Sequence, residues 1–126
     1  MATRGGEAST WLAVGATLAA LGIIAGAFGA HVLAGRLSSG ALALWDTAAR
    51  YWMYGSLGLA LIGLAARGGR SFGASAWLLF AGVVVFSGTV GAIAVGAPRW
   101  LGAVTPLGGL AMIAGFLLFA WTALKS

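Results

Sequence analysis

Few residues in this chain could do chemistry. It has one histidine, His31, two acids, Asp46 among them, and no cysteine. An imidazole at His31 could titrate near neutral pH, hold a metal or relay protons. The plainer expectation is a structural one, a hydrogen bond to a loop carbonyl or to Asp46. Asp46 and Arg50 stand four residues apart, which on a helix suits a structural ion pair. Ser87 and Thr89 are expected to bond to carbonyls of their own helix or to a neighbouring helix. Tyr51 and Tyr54, one turn apart, read as interfacial anchors. Without cysteine there are no disulfides, thiolate nucleophiles, iron–sulfur ligands or common zinc sites. One histidine and two acids cannot assemble a cluster of metal ligands within one chain. No nucleophile–base pair lies within any one apolar run, so the expectation is a protein that is not an enzyme, without cofactor or metal.

The elements that must carry these groups follow from composition. Of 126 residues, 61% are hydrophobic and 7% charged, with a mean hydropathy of +1.02. A soluble domain carries about 25% charged residues, so this chain cannot cover itself with polar groups. A bilayer core of about 30 Å needs around 20 apolar residues in helix. Four stretches fit, about residues 11–33, 51–66, 72–96 and 106–124. They lack the alternation of a membrane barrel, and helices satisfy their own backbone groups in lipid. The fold class expected is all-α, a single integral membrane bundle of four helices. Thr105 is positioned to cap the fourth, with Pro106 in its first turn.

Between the first two spans, Ser38 or Ser39 could cap a helix. Leu37, Ala41, Leu44, Trp45, Ala48 and Tyr51 then recur at helical spacing, with Asp46 and Arg50 on the other side. This segment is either a short interfacial helix or an extension of the second span. The loops carry Arg4, Arg67, Arg70 and Lys125 on one side and Arg36, Arg50 and Arg99 on the other, four against three. That bias places both termini in the cytoplasm, in a multi-pass protein of the inner (plasma) membrane. The first span is too long for a usual signal peptide and is expected to be retained. Trp11, Trp45, Trp52, Trp77, Trp100 and Trp121 fall mostly near span ends, as interfacial belts do. The net charge of +5 is scattered singly and forms no patch for nucleic acid; membrane lipids are the expected partners of the basic residues.

Lipid gives helices no hydrophobic reason to associate, so small residues must let them approach. Gly22 and Gly26 form a GxxxG pair, Gly88, Ala92 and Gly96 repeat the spacing in span three, and Ala111 and Gly115 do so in span four. These stripes could pack within the chain or between protomers. The topology gathers His31, Arg36, Asp46, Arg50, Arg99 and Thr105 at the non-cytoplasmic end. His31, Asp46, Arg50, Arg99 and Thr105 are the candidate functional cluster.

Residues 26–31 read GAFGAH, followed by Thr47-Ala48, Arg50-Tyr51, Met53-Tyr54, Phe86-Ser87-Gly88 and Thr105-Pro106-Leu107-Gly108-Gly109. In order and spacing the chain resembles the membrane family numbered 423 among domains of unknown function. Bacterial members of that family are called inner membrane proteins, and animal relatives resemble transmembrane protein 256. The resemblance implies a four-helix integral membrane protein and no assigned catalytic residues. After the Tyr-x-Met-Tyr segment the family commonly has a histidine where this chain has Gly55. Any paired-histidine metal or haem site within one chain would therefore be lost here, which also favours a structural His31. The function expected is that of a non-enzymatic accessory subunit or small homo-oligomeric scaffold. The alternative is a small-solute or proton-coupled transporter entered at the His31, Asp46 and Arg50 end.

Overall fold

The computed structural model describes residues 3–125, with side chains from residue 6 onward. It consists of four long helices, α1 (Thr3–His31), α2 (Ser39–Ala66), α3 (Gly73–Ala94) and α4 (Thr105–Leu124), with no strand among the described residues. Short 3-10 turns at Leu33–Gly35 and Arg99–Ala103 connect α1 to α2 and α3 to α4. At 1.5 Å per residue, α1 and α2 are about 43 and 42 Å long, α3 and α4 about 33 and 30 Å.

The helix ends follow backbone chemistry rather than the limits of the apolar runs. α1 starts at Thr3, well before the first apolar run; no proline interrupts the segment, and the helix runs through Gly5 and Gly6 despite their low helix propensity. α2 is one unbroken helix from Ser39, so residues 39–50 extend it at its start. Ser38 caps it, its hydroxyl accepting from the Ala41 N–H at 3.1 Å. α3 ends at Ala94 in a Schellman turn: Ala97 N–H donates to Ala92 O at 2.9 Å and Gly96 N–H to Ile93 O at 3.1 Å. Gly96 takes φ +111 there, a conformation that suits glycine. The expected cap at Thr105 is not made. Val104 holds the cap position with no side-chain bond, and Thr105 lies inside α4 with Pro106 in the first turn.

Successive helices run antiparallel. α2 packs along both α1 and α3, and α4 packs along α3. Backbone meets backbone at glycines. A Cβ on Gly15 would strike Ser56 O at 2.6 Å, one on Gly63 would strike Ala8 O at 2.8 Å, and one on Gly82 would strike Gly108 O at 2.8 Å. Along α1 the notches fall at Gly15, Gly22 and Gly29, seven residues apart, and α4 repeats the interval at Gly108 and Gly115. A seven-residue period keeps one seam in register along two helices. The packed core, formed by Ala8, Trp11, Leu59, Ile62, Ala66, Phe72, Ala76, Leu79, Val83 and Met112, occupies the half of the bundle where α1 and α3 begin and α2 ends.

The outside is oily. Leu107, Leu110, Ile113, Leu117, Trp121 and Leu124 line the outer face of α4, and Ile23, Ile24, Leu57, Leu61 and Leu64 are likewise exposed. In water such a surface would aggregate; lipid is its natural solvent. Three segments, Gly6–Gly35, Gly73–Ala94 and Arg99–Leu124, are long and apolar enough to cross a membrane.

Candidate functional site

The antiparallel order brings the end of α1, the start of α2, the end of α3 and the start of α4 to one end of the bundle. His31, Arg36, Asp46, Arg50 and Arg99 lie there, and all five are exposed. Among the described residues, His31 makes neither the carbonyl bond nor the Asp46 bond expected of it, and no ion pair joins Asp46 to Arg50. An exposed i,i+4 pair gains only about 0.3–0.5 kcal/mol, too little to hold two solvated side chains in one geometry. At the opposite end, the Arg4 side chain lies outside the described residues.

Thr105 behaves differently from its neighbours at this end. It is half-buried, and its hydroxyl lies 2.6 Å from that of Thr89 on α3. The Thr89 oxygen also lies 2.7 Å from Val85 O and 3.1 Å from Phe86 O, and that of Thr105 lies 3.2 Å from Leu101 O. The two hydroxyl protons can run as one chain in either direction, from Thr105 through Thr89 to the α3 carbonyls or from Thr89 through Thr105 to Leu101. Thr105 thus ties α4 to α3.

Next to this end, two tryptophans expected to face the membrane interface turn inward. Trp45 donates its indole N–H to Ala25 O at 2.9 Å, and Trp52 donates to Leu18 O at 2.7 Å. Each ring lies against a glycine of α1. A Cβ on Gly29 would be 2.6 Å from Trp45 Cδ1, and one on Gly22 would be 3.0 Å from Trp52 Cδ1. Trp11 is buried as well, which leaves Trp77, Trp100 and Trp121 as the exposed indoles. The signal that could have identified the inward pair is the matching interval: Gly22 and Gly29 on one helix, Trp45 and Trp52 on the next.

The indoles wall a cavity of about 230 Å³, completed by Leu21, Ala25, Ala48, Ala49, Ser87 and Gly91. Ser87 is 5% exposed, and its Oγ is buried without a hydrogen-bond partner among the described residues. Thr89 makes the bonds expected of it and Ser87 does not. Ser87 is the one polar side chain of the cavity lining apart from the indole N–H groups, which are already engaged on α1.

The small residues divide into two sets. Gly22 and Gly115 seat Trp52 and Leu79 of neighbouring helices, while Ala92 and Ala111 are half-buried. Gly26, Gly88 and Gly96 would meet nothing within 4 Å if given a Cβ, and the role of Gly96 is conformational. Gly55 faces α3: a Cβ there would run into the Val83 side chain. It lies close to the level of Leu18, whose carbonyl holds Trp52, about 20 Å of helix from His31. A histidine at position 55 would therefore not meet His31 within one chain.

Comparison with known proteins finds membrane proteins as relatives. The family described as "Protein of unknown function (DUF423)" matches residues 25–109, which take in the whole polar end and most of the cavity wall. A UPF0382 membrane protein of Staphylococcus haemolyticus is 42% identical over 117 residues, covering 91% of this chain and 95% of its own. One of Bacillus subtilis is 39% identical over 118 residues, 91% of this chain and 96% of its own. Another, of Staphylococcus aureus, is 36% identical over 110 residues, 86% and 89% of the two chains. No solved structure matches. With two thirds of its length inside the family's pattern and membrane proteins as its relatives, the chain belongs to the DUF423 family of membrane proteins of unknown function.

Proposed function

We propose that the chain crosses the inner (plasma) membrane four times, with both termini in the cytoplasm, and acts without catalysis as an accessory subunit or small homo-oligomer. α2 packs along α1 and α3, both apolar enough to span, which supports a crossing by α2 as well. The observation that carries association is Gly88. It is exposed two thirds of the way along α3, a Cβ on it would meet nothing in the chain, and Ala81, Val84, Ala92 and Val95 continue the same small-featured face. The glycines of the α1–α2 and α3–α4 seams are all taken up by neighbouring helices, whereas Gly88 leaves a shallow track on which another helix can lie closely. The outer face of α4 carries large side chains and suits lipid. The polar end gives no support to solute passage, because the cavity beside it is apolar apart from Ser87.

Since the chain has no cysteine, single-cysteine variants report cleanly. Gly88→Cys in native membranes should cross-link through a short bismaleimide, either to itself or to a co-purifying chain. Leu110→Cys, on the lipid-facing side of α4, should not. Recovery in mild detergent of monomer alone, with neither variant cross-linking, would overturn the reading.

A further inference from the structure

A second group of residues with chemistry of its own lies at the other end of the bundle, away from the polar rim. Glu7, Thr10, Trp11 and Val14 follow the i, i+3, i+4, i+7 spacing of one helix face, and on α3 Trp77 and Phe80 are one turn apart. These six residues line a cleft of about 310 Å³. Its three rings meet at steep angles. Trp11 and Trp77 are 5.0 Å apart at 87°, Trp77 and Phe80 5.9 Å at 86°, and Trp11 and Phe80 6.1 Å at 58°. Rings set in this way form the walls of a corner rather than a flat stack. Trp11 is 6% exposed and fixed in the core, while Trp77 is 62% exposed and presents its ring outward.

Glu7 supplies the charge. It is half-buried, and its Oε2 lies over the first residue of α3, 3.3 Å from the place a Gly73 Cβ would take. The basic groups of this end that are described are Arg67, Arg70 and Lys125, and none of them pairs with Glu7 among the described residues. Arg70 instead donates to the Lys125 carbonyl at 3.2 Å. The Lys125 ammonium lies 5.8 Å from the centre of the Trp121 ring, so the chain already uses cation–ring contact here.

We propose that this cleft binds a substituted ammonium group, with the Glu7 carboxylate opposing its charge and Trp11, Trp77 and Phe80 covering its methyl or methylene shell. A carboxylate alone would take any hydrated cation, and rings alone would take any apolar group. The two together select an organic cation, whose spread charge is cheaply stripped of water and attracted by the ring faces. The group can come from a free amine or from the headgroup of a choline or ethanolamine lipid.

The test uses the full chain in phosphatidylglycerol nanodiscs, titrated calorimetrically with choline and with its neutral carbon analogue, 3,3-dimethyl-1-butanol. Choline should bind saturably and the analogue at least about tenfold more weakly, a comparison that needs no variant. Glu7→Gln should weaken choline about tenfold and leave the analogue unchanged. Trp77→Leu should weaken choline about fivefold. Replacing the disc lipid by phosphatidylcholine distinguishes the source: loss of free choline binding marks a lipid headgroup, and unchanged binding marks a soluble amine. Equal affinity for choline and its neutral analogue, an unaffected Glu7→Gln, or no saturable binding would each overturn the proposal.

Discussion

Trp52 donates its indole N–H to the carbonyl of Leu18 at 2.7 Å, above Gly22, whose own N–H is the ordinary helical donor to that carbonyl. Trp45 repeats the arrangement on Ala25 and Gly29, one heptad further along α1. In each case an α1 carbonyl serves two donors, and the missing Cβ four residues later is what lets the indole reach it. The α1–α2 seam is thus specified by an interval of seven on both helices.

The notch predicts unequal glycines. Gly29→Ala places a methyl 2.6 Å from Trp45 Cδ1, so ring and helix must move apart, at about 1–3 kcal/mol. Gly22→Ala should be milder, since its contacts begin at 3.0 Å and include the flexible end of Met53. Gly26→Ala meets open space and should leave stability within about 0.5 kcal/mol or raise it. Unfolding in detergent followed by tryptophan fluorescence measures all three. Equal effects at 26 and 29 would mean that helix propensity, rather than the indole, governs.

Ser87 predicts a substitution that does no harm. Its buried Oγ has no partner among the described residues, so Ser87→Ala removes a desolvated hydroxyl and breaks no bond. Stability should be unchanged or higher by up to about 1 kcal/mol. A clear loss in the same unfolding assay would mean that Ser87 is bonded in the native membrane, by rotation onto its own helix or by an occupant of the cavity beside it.

These contrasts also mark what could be read from the residues in advance. Four apolar runs are visible because lipid imposes length and composition on a helix directly, and a cap at Ser38 or Ser39 can be named because that chemistry is local, while the choice of Ser38 comes from the structure. The continuous start of α2 was not settled, because Asp46 and Arg50 break the apolar run while leaving the helical spacing intact. Residue type alone points Trp45 and Trp52 outward, although an indole suits an interface and a helix seam equally. Only the partner's notch decides between them, and that is a relation between two helices. The Gly22–Gly26 pair suggested a four-residue period, whereas the seam uses seven and passes over Gly26. At the polar end, residue types located the cluster, but its bonds depend on orientations that spacing does not encode. Of its members, Thr105 alone is joined to another helix among the described residues.

The Thr89–Thr105 contact predicts coupling. Each hydroxyl has a carbonyl of its own region as well as the other threonine, so Thr89→Val and Thr105→Val remove overlapping parts of one chain of bonds. The double variant should lose less than the sum of the singles. The expected coupling is about 0.6 kcal/mol and at most about 1.7, as for other side-chain bonds between helices in lipid. Strict additivity would show that each hydroxyl serves only its own helix.

Orientation should prove unusually easy to disturb. The basic residues divide four against three, and the balance of lysine and arginine in short loops sets which side faces the cytoplasm. Converting both Arg67 and Arg70 to alanine leaves two against three, since 4 − 2 = 2, which should invert the chain or give a mixed population. Cysteines introduced separately at His31 and Trp100, both exposed and neither a lysine nor an arginine, provide the readout with an impermeant maleimide added outside intact cells. In the parent background both should label, and a cysteine replacing Ser71, exposed in the loop between α2 and α3, should not. In the double-alanine background the pattern should reverse in a substantial fraction of molecules. Labelling of His31→Cys and Trp100→Cys from opposite faces would overturn the proposed four-crossing topology itself. An unchanged pattern after the double substitution would mean that something other than loop charge, such as a partner met during insertion, holds the orientation.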